Sequence, residues 1–160
     1  MADATEAGGS EGAKTLVIPL LWYLDARKAI AWLERAFGFE TTLVVDDGQG
    51  GVIHSELVLD GGRLYVVGPP RGEAVSPAAF GGRNTQAVHV QLADGLDAHC
   101  AQARAAGARI VREPQTQAYG DRVYTCTDIE DHAWSFGQTV QALSPGEMAE
   151  ATGHTITTRI

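Results

Sequence analysis

Two stretches of this 160-residue chain carry the same signals in the same frame. In the first, Asp25 opens and Gly38 closes the run ARKAIAWLERAF, whose Ile30, Leu33 and Phe37 fall at i, i+3 and i+7 and share one helix face. In the second, Asp94 opens and Gly107 closes a run in which Leu96, Cys100 and Ala103 share a face. Asp25 to Asp94 and Gly38 to Gly107 both span 69 residues. A strand-like run precedes each helix: TLVIPLLWY (15–23), read as a buried strand, and QAVHVQL (86–92). Three more follow each: FETTLVVDD, GVIHSELVLD and RLYVVG in the first copy, ARIVREP, DRVYTCTD and AWSFGQ in the second. A unit of this length present twice is a duplicated βαβββ module, not a solenoid. The predicted fold is therefore α+β, two modules forming one domain over 15–138. Module one covers 15–68, a Pro/Gly-rich connection 69–84 and module two 85–138. Residues 1–14 read as a flexible tail, and 139–160 as a C-terminal tail with weak patterning.

Charge and composition exclude several function classes. The formal net charge is -8 and no basic run is present, which argues against nucleic acid as a partner. No apolar run approaches the roughly 18 residues of a spanning helix, so no membrane role is expected. The N-terminus, acidic and rich in Gly and Ala, does not read as a signal peptide, so a cytoplasmic protein is expected. Cys100 and Cys126 lie far apart without zinc-type spacing, and neither a zinc site nor a disulfide is expected. There is no GxGxxG, Walker loop, GxSxG or HExxH.

Two βαβββ modules, the helix YLDARKAIAWLERAFGFE and the closing DIEDHAWSFG resemble the vicinal oxygen chelate superfamily, the glyoxalase, bleomycin-resistance and extradiol dioxygenase group. The closing turn is similar to the family's D-P-[DE]-G-[HY] signature, with Ile129 in place of the proline and Asp131 in place of the glycine. The runs GGRNTQAVHV, DAHCAQARAAGARIVREP and YGDRVYTCTDIEDHAWSFG are closer still to its PhnB-like branch. The resemblance implies that each module curls into half of an open barrel around a cleft, that homodimers are common, and that many members hold a metal there. The ligands in those members are His, Gln or Glu on the first and last strand of each module. On this chain the matching positions are Ile18, Tyr65 or Val66, a residue between Ala87 and His89, and Ser135. Divalent metals favour imidazole and carboxylate donors. Of these residues only His89 is a good donor, so the resemblance implies a dismantled metal site and no cofactor.

Two other constellations bear on chemistry. In GVIHSELVLD, period two places His54 and Glu56 on one face, opposite Ile53, Ser55, Leu57 and Leu59. With His89, they could form a two-His-one-carboxylate set for iron, manganese, nickel or zinc. Without metal, Glu56 poised by His54 could act as a general base. Ile18, Leu20 and Trp22 share the cleft face of the first strand, with Tyr65 and Tyr124 completing an apolar wall. Ala87, His89 and Gln91 face the cleft from the second module. Ser135, with Ala133 and Gly137, leaves room at the floor. Trp32, Trp134 and Phe136 read as core. Arg122 sits either in a turn or within reach of an anionic ligand. The expected function is metal-independent binding of a small apolar or aromatic ligand, as in the drug-sequestering resistance proteins of the superfamily. The alternative is a lyase, isomerase or dioxygenase that uses His54, Glu56 and His89, or Glu56 alone.

Overall fold

The computed structural model describes residues 15–69 and 76–158. The expected N-terminal tail, 70–75 of the connection and the last two residues lie outside the described residues. Each module builds one four-stranded mixed sheet. In the first, β1 (Leu20–Trp22), β2 (Glu40–Asp46), β3 (Val52–Leu59) and β4 (Gly62–Val67) take the order β1-β4-β3-β2. In the second, β5 (Ala87–Gln91), β6 (Arg109–Thr116), β7 (Asp121–Thr127) and β8 (Ala133–Thr139) repeat it as β5-β8-β7-β6. In both, the first strand is parallel to the fourth and the remaining pairs are antiparallel. The two sheets share no strand pairing, so the barrel is open. Among the described residues no helix is long and apolar enough to cross a membrane.

Local chemistry explains where the elements begin and end. Helix α1 (Ala26–Phe37) starts where the Asp25 carboxylate accepts from Lys28 N at 3.0 Å, and ends at Gly38, whose φ of 79° closes a left-handed cap. Helix α2 (Leu96–Ala105) starts differently from expectation. Its N-cap is Gly95, not Asp94, and no side chain caps it locally; instead Gln138 Oε1, from β8, accepts from Leu96 N at 3.1 Å. The expected strand over 15–23 is shorter than predicted. Pro19 has no N–H to pair, β1 begins at Leu20, and Val17 is 97% exposed. Ile53 also departs from period two. A register shift pairs Val45 with His54 and Asp46 with Val52, so Ile53 bulges out and is exposed while Val52 is buried. The C-terminal segment, which sequence patterning left unassigned, forms α3 (Pro145–Thr152). Ser144 and Glu147 make a reciprocal capping box at its start.

The helices pack against each other and against the inner faces of both sheets, giving one continuous core. Phe37 is at its centre, with Trp32, Trp134 and Phe136 ring centroids 4.8–5.0 Å away. Each helix supplies donors for the other's C-terminal carbonyls. Trp32 Nε1 donates to Ala106 O at 2.8 Å, and Gln102 Nε2 donates to Arg35 O at 3.0 Å. His99 Nε2 lies 3.1 Å from Phe37 O, and its Nδ1 lies 2.7 Å from the Tyr124 hydroxyl. If Nε2–H donates to the carbonyl, Nδ1 accepts from Tyr124, and the ring is held neutral.

The modules are joined by the turn before β8. Asp128, 5% exposed, accepts from the Tyr23 hydroxyl at 2.6 Å, from Trp134 Nε1 at 3.0 Å, and from the backbone N–H groups of Glu130 and His132 at 2.9 and 3.0 Å. The imidazole Nδ1 of His132 lies 3.3 Å from its Oδ2. The Glu130 carboxylate accepts from Leu24 N and Asp25 N at 2.7 and 3.0 Å, at the entrance to α1. Burial alone would raise the Asp128 pKa; the hydrogen bonds and charge of His132 and the donors Tyr23 and Trp134 hold it below its ordinary value.

Asp128→Ala would leave several buried donors without an acceptor, and its cost is expected at about 3–5 kcal/mol by urea unfolding. The His99 pKa is lowered chiefly by burial. The unfolded chain therefore binds the proton more readily than the folded one. The stability that neutral His99 contributes is complete above the unfolded value near 6.5 and is lost as pH falls below it. Asp128, also lowered, adds a second loss below the ordinary carboxylate range near 4. In His99→Gln protein the first loss should disappear from the pH–stability profile and the second should remain.

Candidate functional site

Strand parity decides which side chains can meet a ligand. In the first sheet Leu20 pairs with Tyr65 and Tyr65 with Glu56, while Val45 pairs with His54. Paired residues point the same way, so Leu20, Tyr65, Glu56 and His54 share the open face. Ser55, Leu57, Leu64 and Val66 take the core face and are buried. Val66 is thereby excluded as a cleft residue, and of the two last-strand positions only Tyr65 faces out. In the second sheet Ala87, His89 and Gln91 pair with Ala133, Ser135 and Gly137 on the open face. Tyr124 pairs with Phe136 and goes with it into the core. It is 0% exposed and stacks on Phe136 with centroids 5.1 Å apart. The expectation that Tyr124 lines the cleft is therefore corrected: the residue beside Ser135 is Thr125, and Tyr124 packs under α2 with its hydroxyl on His99.

Two polar clusters stand on the open faces. On the first sheet the His54 ring contacts Tyr65 at 4.7 Å, and its Nε2 lies 3.4 Å from Glu56. Arg63 approaches the other Glu56 oxygen at 3.6 Å. On the second sheet His89 Nδ1 lies 3.1 Å from Ser135 Oγ, and Nε2 lies 3.1 Å from Gln91 Oε1. Gln91 Nε2 in turn donates to Thr139 at 3.1 Å. The His89 ring crosses over Gly137, where an added Cβ would stand 3.0 Å from its Cε1.

The donor chemistry does not suit a metal. Of the positions matching the family's ligands, Ile18 has no donor, Ser135 offers a neutral hydroxyl already engaged by His89, and both nitrogens of His89 have protein partners. The alternative set is not assembled within one chain either. His54 and Glu56 meet on the first sheet, His89 stands on the second, and among the described residues no three His, Cys, Asp or Glu gather. Arg122 does not reach outward to a ligand: it forms a two-pronged pair with Asp97, both N···O distances 2.7 Å.

A cavity of about 630 Å³ opens where the edges of β1 and β5 come near one another. Ile18, Leu20, Trp22 and Phe80 give it an apolar wall, and His89 and Ala133 border it from the second module. Tyr65, Ser135, His54 and Glu56 do not line it. Sequence patterning did not point to Ser76, Arg83 or His132, which also line it. Ser76 and Arg83 come from the connection between modules, where no periodicity marks a side chain's direction. The signal for His132 was present as the [HY] position of the family signature.

The comparisons with known proteins agree with this architecture. The family model of the Glyoxalase/Bleomycin resistance protein/Dioxygenase superfamily matches residues 16–136. An uncharacterized protein of Mycobacterium tuberculosis is 30% identical over 131 residues, 79% of this chain and 76% of its own. The crystal structure of TioX from Micromonospora sp. ML1 is 31% identical, with a TM-score of 0.63 over 79% of this chain and 99% of that one. The fosfomycin resistance protein FosX from Listeria monocytogenes shares the fold at 15% identity, with a TM-score of 0.58 over 86% of this chain and 99% of its own. With its duplicated βαβββ modules and the family's closing turn, the chain belongs to the Glyoxalase/Bleomycin resistance protein/Dioxygenase superfamily.

Proposed function

We propose that the protein binds a small apolar or aromatic molecule in the 630 Å³ cavity without a catalytic metal, in the manner of a sequestering resistance protein. The observation that carries this reading is the chemistry of the positions where the family places ligands. They hold an isoleucine, a tyrosine, a serine and a histidine whose two nitrogens are already engaged. Sequestration needs an apolar wall and affinity, and Ile18, Leu20, Trp22 and Phe80 supply the wall.

The His54–Glu56–Arg63 cluster is the observation that favours an enzyme, with Glu56 as general base. Against it stands the cavity lining, which includes neither His54 nor Glu56. Leu20, Leu43 and Val45 are exposed on the same open face, and a second copy of the chain covering them would make a homodimer. Light scattering coupled to size exclusion would then return twice the chain mass, and Leu43→Glu would reduce it to one.

Screening aromatic compounds should find ligands that raise the melting temperature and change Trp22 emission, with the emission change absent in Trp22→Phe protein. Glu56→Gln should leave that binding intact. A turnover that falls roughly 10²–10⁴-fold in Glu56→Gln would replace this reading by the enzymatic one. After incubation with iron(II), manganese, nickel or zinc and desalting, metal should remain sub-stoichiometric. Near-stoichiometric metal that vanishes in His54→Ala or His89→Ala protein would overturn the metal-free reading.

A further inference from the structure

The chain carries 20 acidic residues against 12 basic ones, yet among the described residues no Asp or Glu lines the 630 Å³ cavity. Composition alone does not account for this, because the turn beside the cavity, Asp128-Ile129-Glu130-Asp131, holds three carboxylates. Each of them is engaged elsewhere. Asp128 is buried and accepts from Tyr23 and Trp134. Glu130 accepts from Leu24 N and Asp25 N. Asp131 is paired with Arg109 at 3.4 Å. His132 and Ala133, which follow in the chain, line the cavity, and the three acids do not. The lining does contain a permanent cation, Arg83. Its backbone is clamped on both sides. Gly82 N donates to Pro77 O at 2.8 Å. Asn84 Nδ2 donates to Gly82 O and Asp131 O at 3.1 and 2.7 Å, and Asn84 Oδ1 accepts from Ala133 N at 3.2 Å. The Arg83 guanidinium itself has neither ion pair nor hydrogen bond among the described residues. Arg27, Arg104, Arg109 and Arg122 each meet a carboxylate of the chain, and none of them lines the cavity. An unpaired arginine on an open surface is ordinary; this one stands on a fastened loop, in a cavity with an apolar wall and no acid.

We propose that the cavity takes an aromatic carboxylate and that Arg83 is the residue that selects the anion. This deepens the proposed binding function and rests on it. The ring lies against Leu20, Trp22 and Phe80, where apolar area is available. The carboxylate meets the guanidinium, whose planar fork matches two carboxylate oxygens. A cavity of 630 Å³ holds a drug-sized molecule, so one ligand can reach both the wall and the cation. A cationic ligand would meet like charge and find no acid in the lining. A dianionic phosphate would leave one of its charges uncompensated in a protein of net charge -8. A neutral aromatic would use the wall alone and leave the guanidinium to water.

The test compares 2-naphthoate with 2-naphthamide by isothermal titration at neutral pH and low ionic strength. The two share a ring system and a planar substituent of the same size, and only the first is an anion. The acid should bind about tenfold more tightly, the factor expected for a charge-assisted hydrogen-bonded pair at a partly open site. Added salt should narrow that preference, because it screens the pair and not the apolar contact. Arg83→Gln should bring the two probes to similar affinity by weakening the acid. Arg83→Lys should keep part of the preference, since a charge remains without the fork. The melting temperature of ligand-free Arg83→Gln protein should match that of the parent, because the side chain has no partner to lose. Equal binding of the two probes, or a preference that survives Arg83→Gln unchanged, overturns the assignment while the aromatic-binding function stands. Failure of both probes while neutral or cationic aromatics bind has the same meaning. Failure of every aromatic compound removes the binding function itself, and the carboxylate assignment with it.

Discussion

Asp128 holds the closing turn of the second module against the first. Burying a carboxylate carries a desolvation penalty of several kcal/mol unless donors surround it. Here Tyr23 comes from the end of β1, Trp134 from β8, and the remaining donors from the turn itself. Glu130 extends the same clamp to the entrance of α1. Trp22 immediately precedes Tyr23, and His132 is a partner of Asp128, so both sides of the cavity take their position from this one anion. The departures from the family signature are accommodated nearby. Asp131 adopts a φ of 65°, where a glycine would be unstrained, and is held there by bonds to its neighbours: Asn84 Nδ2 donates to Asp131 O at 2.7 Å, and Arg109 lies 3.4 Å from its carboxylate.

Duplication gives the molecule an approximate internal symmetry, and the helix ends show it. Trp32 serves the end of α2, while Gln102 and His99 serve the end of α1. Groups that would otherwise be unpaired in an apolar interface are thus satisfied from across it. The open faces have diverged. The first sheet presents Leu20, Leu43, Val45 and Tyr65 around Glu56; the second presents small residues beneath a hydrogen-bonded row of His89, Gln91 and Thr139. A ligand between the modules would meet an apolar surface on one side and a polar surface on the other.

Much of the architecture could be read from the chain because it rests on local rules. Asp25 and Gly38 bracket α1 as N-cap and left-handed cap, and the Asp60-Gly61 pair turns β3 into β4 with both residues at positive φ. The pairing of His54 with Glu56 followed from period two. Failures occurred where distant partners decide. The side taken by Tyr124 depends on its register against Phe136, which no local pattern specifies. The start of α2 depends on Gln138, 42 positions away. The start of α3 was legible in Ser-Pro-Gly-Glu, but no apolar periodicity followed to mark a helix. At the cavity, Leu20 and Trp22 were accessible to reasoning from strand parity. Ser76 and His132 come to line one cavity only through the fold.

The row formed by Ser135, His89 and Gln91 also bears on how this scaffold could change its chemistry. Ser135 Oγ stands 3.1 Å from the imidazole of His89. A carboxylate introduced at position 135 would stand within hydrogen-bonding reach of that imidazole, while Nε2 would still face Gln91 Oε1. Ile18 would still contribute nothing. With both His89 nitrogens engaged and no donor at Ile18, several coordinated replacements would be needed to bring three donors together on this face. The arrangement is mutually locked: the row is held by its own internal bonds, and a donor added at one position changes the hydrogen bonding of the next.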